Sequence, residues 1–144
     1  MQLTWHGHST WHVRIKNTTF LIDPFFNNPK TSLKPSDIDP PDYVLLTHGH
    51  ADHIGDVGSF SNSTIVATPE LTSYISDDYG VDSTISMNIG GTIQVGSGYV
   101  TVQRADHTNG YSNKYSAGGD MPAGYLVSDA PPREAAKGNG ESFY

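Results

Sequence analysis

The chain has 144 residues, and 8 Lys+Arg against 15 Asp+Glu leave a net charge of −7. That length holds one domain, and a hydrophobic content of 35% with 15 Gly and 9 Pro implies a thin core with many turns. The absence of cysteine excludes disulfides, thiolate metal ligands and a cysteine nucleophile, and the acidic balance argues against a phosphate backbone as partner.

In chain order, Trp11 to Lys16 alternates apolar with polar, Asn17-Thr18 turns the chain, and Thr19 to Ile22 returns as the second arm of a hairpin. Asn27 to Asp42 is polar and rich in Pro, Asn, Ser and Asp, a long loop of the kind that forms lids, with disorder the competing reading. Tyr43 to Leu46 is a short apolar run expected of a strand buried on both faces. A weak helical stretch reaches Phe60, and Thr64 to Ala67 is another buried strand. Thr68-Pro69-Glu70 starts a helix that puts Leu71, Tyr74 and Ile75 on one face. Strands follow at Thr84 to Met87, Thr92 to Val95 and Tyr99 to Arg104, with Gly90-Gly91 and Gly96-Ser97-Gly98 as tight turns between them. Asp106 to Met121 reads as loop, and Gly124 to Val127 as a last strand. Many strands with helices only in the middle indicate a layered α/β or α+β domain with much sheet. No apolar run approaches the roughly 18 residues of a membrane span, and the first residues resemble no export signal, so a cytoplasmic protein is expected.

Four potential ligands, His48, His50, Asp52 and His53, lie within six residues directly after a buried strand. From the chain's own composition, chance yields such a cluster in about one sequence per thousand. Alternate residues of extended backbone point the same way, so His48 and His50 can share one centre, with Gly49 between them adding no bulk. The turn into a helix redirects Asp52 and His53 toward a neighbouring centre. Imidazole and carboxylate suit Zn, Mn or Fe. His107, after a later strand, is either a third imidazole for the first centre or a loop histidine. His6 and His8 alternate onto one face, which either lines the site or is a polar sheet face; His12 reads as surface. Asp23 ends a strand, where it either orients a metal-bound imidazole or forms a turn before Pro24.

Thr47-His48-Gly49-His50-Ala51-Asp52-His53-Ile54-Gly55-Asp56 resembles the H-x-H-x-D-H signature of the metallo-β-lactamase superfamily. Trp5-His6-Gly7-His8-Ser9, Leu21 to Phe25, Ala105 to Thr108 and Gly118 to Tyr125 are similar to its compact metal-dependent hydrolases, relatives of the ascorbate-6-phosphate lactonases. The resemblance implies an αββα sandwich, here its N-terminal half to two-thirds, with a metal site at the sheet edge. Carried over by position, His48, His50 and His107 would hold one divalent metal, zinc in the first instance, and Asp52 and His53 a second. A water shared by the two would lose its proton and attack an ester, lactone or phosphoester, with Asp52 and His8 as catalytic groups and Asp23 orienting a ligand. The family continues, after a strand resembling Glu141 to Tyr144, into a segment with a bridging Asp and a further His. A complementary C-terminal segment or second chain, with a homo-oligomer as alternative, is therefore expected beside a small-molecule substrate. Two other readings are a non-catalytic metal-binding or assembly module and, set back by the net charge, a nuclease of the same superfamily.

Overall fold

Val13, Ile15 and Phe20 come from two chain-adjacent strands and are all buried, because β2 (Trp11–Ile15) and β3 (Thr18–Ile22) pair antiparallel with Val13 opposite Phe20. β1 (Gln2–Trp5) adds to the other side of β2 as the edge strand. The computed structural model describes residues 1–110 and 122–132. From β3 the sheet grows by parallel steps to β4 (Tyr43–Leu45), β5 (Thr64–Ala67) and β6 (Thr84–Ser86), giving six strands in the order β1-β2-β3-β4-β5-β6. Successive parallel strands step in one direction, and right-handed crossovers then put every connection on the same face. That face is where the core finds α1 (Ala51–Ile54), the 3-10 turn Val57–Phe60 and α2 (Pro69–Tyr79). Ile54, Val57, Phe60, Leu71, Tyr74 and Ile75 close over Leu21, Val44, Leu46 and Ile65. Pro69 opens α2 behind Thr68, and Gly80 ends it in the left-handed conformation at φ 66°.

The opposite face packs on a second, antiparallel sheet of β7 (Thr92–Val95), β8 (Gly98–Arg104) and β9 (Ala123–Ser128). Val95, Val100, Val102 and Ala123 meet Val13, Ile15, Phe20, Leu45, Val66 and Met87 there. The described residues thus form three layers, α, β and β, of a metallo-β-lactamase-like sandwich. Six strands are wider than three. Leu3 pairs with Val13 and Trp5 with Trp11, so this apolar face runs on past the small sheet, where Leu3 is 58%, Trp5 50% and Trp11 40% exposed. No helix among the described residues is long and apolar enough to cross a membrane.

Three expectations change. Gly90-Gly91 does not join two paired strands: β6 pairs parallel with β5, while β7 opens the other sheet. The glycines carry the chain between sheets, held by Gly90 N–H to Val102 O at 2.8 Å and Val102 N–H to Gly91 O at 2.9 Å. No residue of the long loop from 27 to 42 lines the cleft described below. The loop includes a 3-10 turn at Pro35–Asp37, and its Ile38 packs on the helix-side core. His12 is half-buried rather than fully on the surface. Its ring lies 6.1 Å from that of buried His6, and its Nε2 is enclosed. The strand resembling residues 141–144, and the part of the last motif at 118–121, lie outside the described residues.

Candidate metal centre

In a parallel sheet, chain turns at the carboxyl ends of adjacent strands converge on one edge, where ligands collect. Asp23 follows β3, Thr47 and His48 follow β4, and the β1–β2 turn brings His8 to the same edge. From the second sheet, His107 follows β8 and Ala123 opens β9. Together with Ser9, His53, Ala105, Pro122 and Gly124 these residues line a cleft of about 680 Å³ between the sheets.

Two donor trios meet at that cleft, which His8, His48, His53 and His107 line directly. His48, His50 and His107 form the first, and His8, Asp52 and His53 the second; within each, donor atoms lie within 4.8 Å of one another. Ring centroids are 4.6 Å apart for His48 and His50, 4.7 Å for His48 and His107, and 5.4 Å for His50 and His107. The trios adjoin, since the His48 and His53 rings are 4.0 Å apart. All six were read from the sequence, but His8 stands here as the third donor beside Asp52 and His53. Its Nε2 is 3.3 Å from Asp52 Oδ2.

His6 does not share this edge. Gly7 at φ 92° and His8 at φ 50° break the strand alternation, so the two histidines leave on different sides. His6 is buried against Phe26, with centroids 5.5 Å apart. Gly7 has to be glycine, because a Cβ there would sit 2.1 Å from Asn28 Oδ1.

Hydrogen bonds set the tautomers. The buried Asp23 carboxylate accepts the Thr47 N–H at 2.8 Å on Oδ1, and on Oδ2 the Thr47 hydroxyl at 2.7 Å and His53 Nδ1–H at 2.8 Å. Thr47 Oγ1 has spent its one hydrogen, so at 2.9 Å it accepts from His48 Nδ1–H. Both His48 and His53 thus keep the lone pair on Nε2. His48 is also kept neutral: burial first, then the neighbouring His53, His50 and His107, lower its pKa to about 4 against the pull of Asp52. Ser9 Oγ lies 2.9 Å from His8 Nδ1 and 3.1 Å from His53 Nδ1, joining the turn to the second trio. Trp5 Nε1–H donates to His8 O at 2.9 Å.

The donor set fits a divalent cation. His48 Nε2 and His50 Nδ1 are 3.0 Å apart, close to the about 3.3 Å that two imidazole nitrogens show on one tetrahedral ion. Thr47 and Ser9 went unread in the sequence; a hydroxyl next to a histidine, in Thr47-His48 and His8-Ser9, was the available signal.

The model of the metallo-beta-lactamase superfamily matches residues 3–72. A UPF0173 metal-dependent hydrolase of Haloquadratum walsbyi is 56% identical over the whole chain, which covers 61% of that relative. One of Halorubrum lacusprofundi is 50% identical, again over the whole chain and 59% of the relative. Among solved structures, Igni18, a metallo hydrolase from Ignicoccus hospitalis, superposes with a TM-score of 0.74 at 25% identity, over 88% of this chain and 55% of Igni18. The chain spans about three-fifths of the length of the curated relatives it matches.

Proposed function

This chain shares the sequence signature and the fold of the metallo-β-lactamase superfamily, and on that footing we propose that it carries the metal-holding part of a metal-dependent hydrolase acting on a small ester, lactone or phosphoester. The observation that carries this reading is the pair of adjoining donor trios, four of whose six side chains line one cleft. His48, His50 and His107 would hold one divalent cation, zinc in the first instance, and His8, Asp52 and His53 a second. When bound, such cations polarise the electrophile and bring the pKa of water toward neutrality.

The chain's own residues do the rest. Asp23, through Thr47 and directly, holds the His48 and His53 protons on Nδ1, which keeps each Nε2 turned to the cation. Burial keeps His48 from competing for a proton. Ser9, 2.9 Å from His8 Nδ1, anchors the ring so that His8 Nε2 stands 3.3 Å from Asp52 Oδ2, where both would serve the second cation. Small side chains at Ala105, Ala123 and Gly124 leave room for the substrate.

A partner segment belongs to this reading. Leu3, Trp5 and Trp11 form an apolar sheet face that the three strands β7–β9 leave uncovered, and the curated relatives continue for about two-fifths of their length beyond what this chain covers. We assign that face to a complementary C-terminal segment, in the same or another polypeptide.

Native mass spectrometry with zinc, run beside hydrolysis assays with ester, lactone and phosphodiester probes, tests the proposal. Two metals per assembly, and turnover removed by a chelator and by His48→Ala or His50→Ala, are expected. Unchanged metal content in both variants would refute it. One metal and no turnover once a complementary segment is supplied would leave a binding module.

A further inference from the structure

The Gly49 peptide lies between His48 and His50, and its N–H is donated to Asn109 Oδ1 at 3.0 Å. The same oxygen accepts the Gly110 N–H at 2.9 Å. One carbonyl is therefore held from two directions: by the loop that carries His48 and His50, and by the loop after β8 that carries His107. Those loops leave different sheets and are separated by 60 residues of chain between the bonded positions. Among the described residues the backbone ties stop short of His107: Ala123 N–H donates to Thr47 O at 2.8 Å and Ala105 N–H to Pro122 O at 3.2 Å, so the start of β9 links the two loops only as far as residue 105, and Asn109 holds the chain on the other side of His107.

We infer that Asn109 is a positioning residue for the three-imidazole centre: through the Gly49 peptide it fixes how far His107 stands from His48 and His50. The argument is one of degrees of freedom. His48 and His50 share a short stretch of chain directly after a buried strand, so their mutual placement is local. His107 arrives at the end of a strand in the other sheet, and a loop two residues past it makes the bond that closes the gap. An amide oxygen suits this place, since it accepts two N–H groups without bringing a charge beside the ligands. Without it, a Gly49 N–H pointing at the His107 loop loses its acceptor, and the third imidazole is free to drift from the other two.

This inference rests on the proposal that His48, His50 and His107 hold a divalent cation, and the test separates the two. The full chain is titrated with cobalt(II), following affinity and the visible ligand-field spectrum, which reports coordination geometry; the thermal midpoint of the metal-free form is measured alongside. Asn109→Ala is expected to weaken cobalt binding about tenfold and to alter the spectrum while the metal-free midpoint moves little. Asn109→Asp, which keeps an acceptor oxygen, is expected to recover most of both. Wild-type affinity and spectrum in Asn109→Ala would overturn the inference. So would equal losses in the Ala and Asp variants, or a fall in midpoint with no change in spectrum, which marks a structural role only. His107→Ala is the control. If it binds cobalt as the wild type does, the three-imidazole reading has failed and takes this inference with it. If it loses the spectrum while Asn109→Ala keeps it, only the role of Asn109 is refuted.

Discussion

Removing the carboxylate of Asp23 tests the hydrogen-bond argument for the site most directly. Asp23 is 1% exposed and accepts three hydrogen bonds, from Thr47 N–H, Thr47 Oγ1–H and His53 Nδ1–H. Bonds to a charged acceptor contribute roughly 1.5–3 kcal/mol each, and three that share one group add less than fully, so about 4 kcal/mol is at stake. Asp23 also sits at φ 45°, where alanine costs about 1 kcal/mol more. Asp23→Ala is therefore expected to lose about 5 kcal/mol in urea denaturation, enough to unfold a marginal domain. Asp23→Asn is the sharper variant. Asparagine tolerates the left-handed backbone and offers one oxygen to the Thr47 N–H. Its amide NH₂ cannot accept from His53 or from the Thr47 hydroxyl, so it drives the His53 proton onto Nε2 and loosens His48. Asp23→Asn should remain folded yet bind zinc about 10- to 100-fold more weakly by calorimetry. Wild-type zinc affinity in a folded Asp23→Asn would refute the tautomer argument.

Other consequences are as open to measurement. Gly7→Ala forces a Cβ to within 2.1 Å of Asn28 Oδ1 and 2.8 Å of Lys30 Cβ at φ 92°; a loss of about 2–4 kcal/mol and fewer bound metals are expected, and a neutral result would show that the turn does not set His8. In the metal-free chain, His48 titrates near pH 4 when folded against 6.5 when unfolded. Above pH 6.5 both states are neutral; between 6.5 and 4 the unfolded state binds the proton first, so stability falls as pH falls, by at most about 3 kcal/mol. Denaturation at several pH values, with His48→Gln showing a shallower slope than the wild type, checks this; identical slopes would contradict it.

Much of the fold was legible because local pattern and tertiary burial agree. The β2–β3 hairpin follows from period-two alternation, though its turn falls at Lys16-Asn17, with Lys16 at φ 52°, one residue earlier than the Asn17-Thr18 expected; β4 follows from an uninterrupted apolar run, and the start of α2 from Thr68-Pro69. The donor cluster was legible because its residues adjoin in the chain. What escaped depends on distance or on one torsion angle. Nothing local says that β6 and β7 belong to different sheets, since strand partners are chosen from across the fold. His6 and His8 parted because Gly7 and His8 adopt positive φ, which alternation cannot foresee. His12 Nε2 is enclosed by packing that its exposed-looking neighbours Trp11 and Arg14 do not announce. Thr47, Ser9 and Asn109 carry no periodic signal, and their importance lies in which atoms they meet.

The chain has two tryptophans, and both sit beside the cleft edge. Trp5 and Trp11 face each other across the β1–β2 pair with ring centroids 6.3 Å apart, and the Trp5 indole N–H is bonded to the backbone oxygen of His8. Intrinsic tryptophan emission, excited at wavelengths that the 8 tyrosines do not absorb, therefore comes from the β1–β2 pair that presents His8 and from the uncovered sheet face. A paramagnetic ion at His8, Asp52 and His53 would quench it, and a segment laid over Leu3, Trp5 and Trp11 would shift it to the blue. The molecule carries its own optical reporter for both events, with no label to attach.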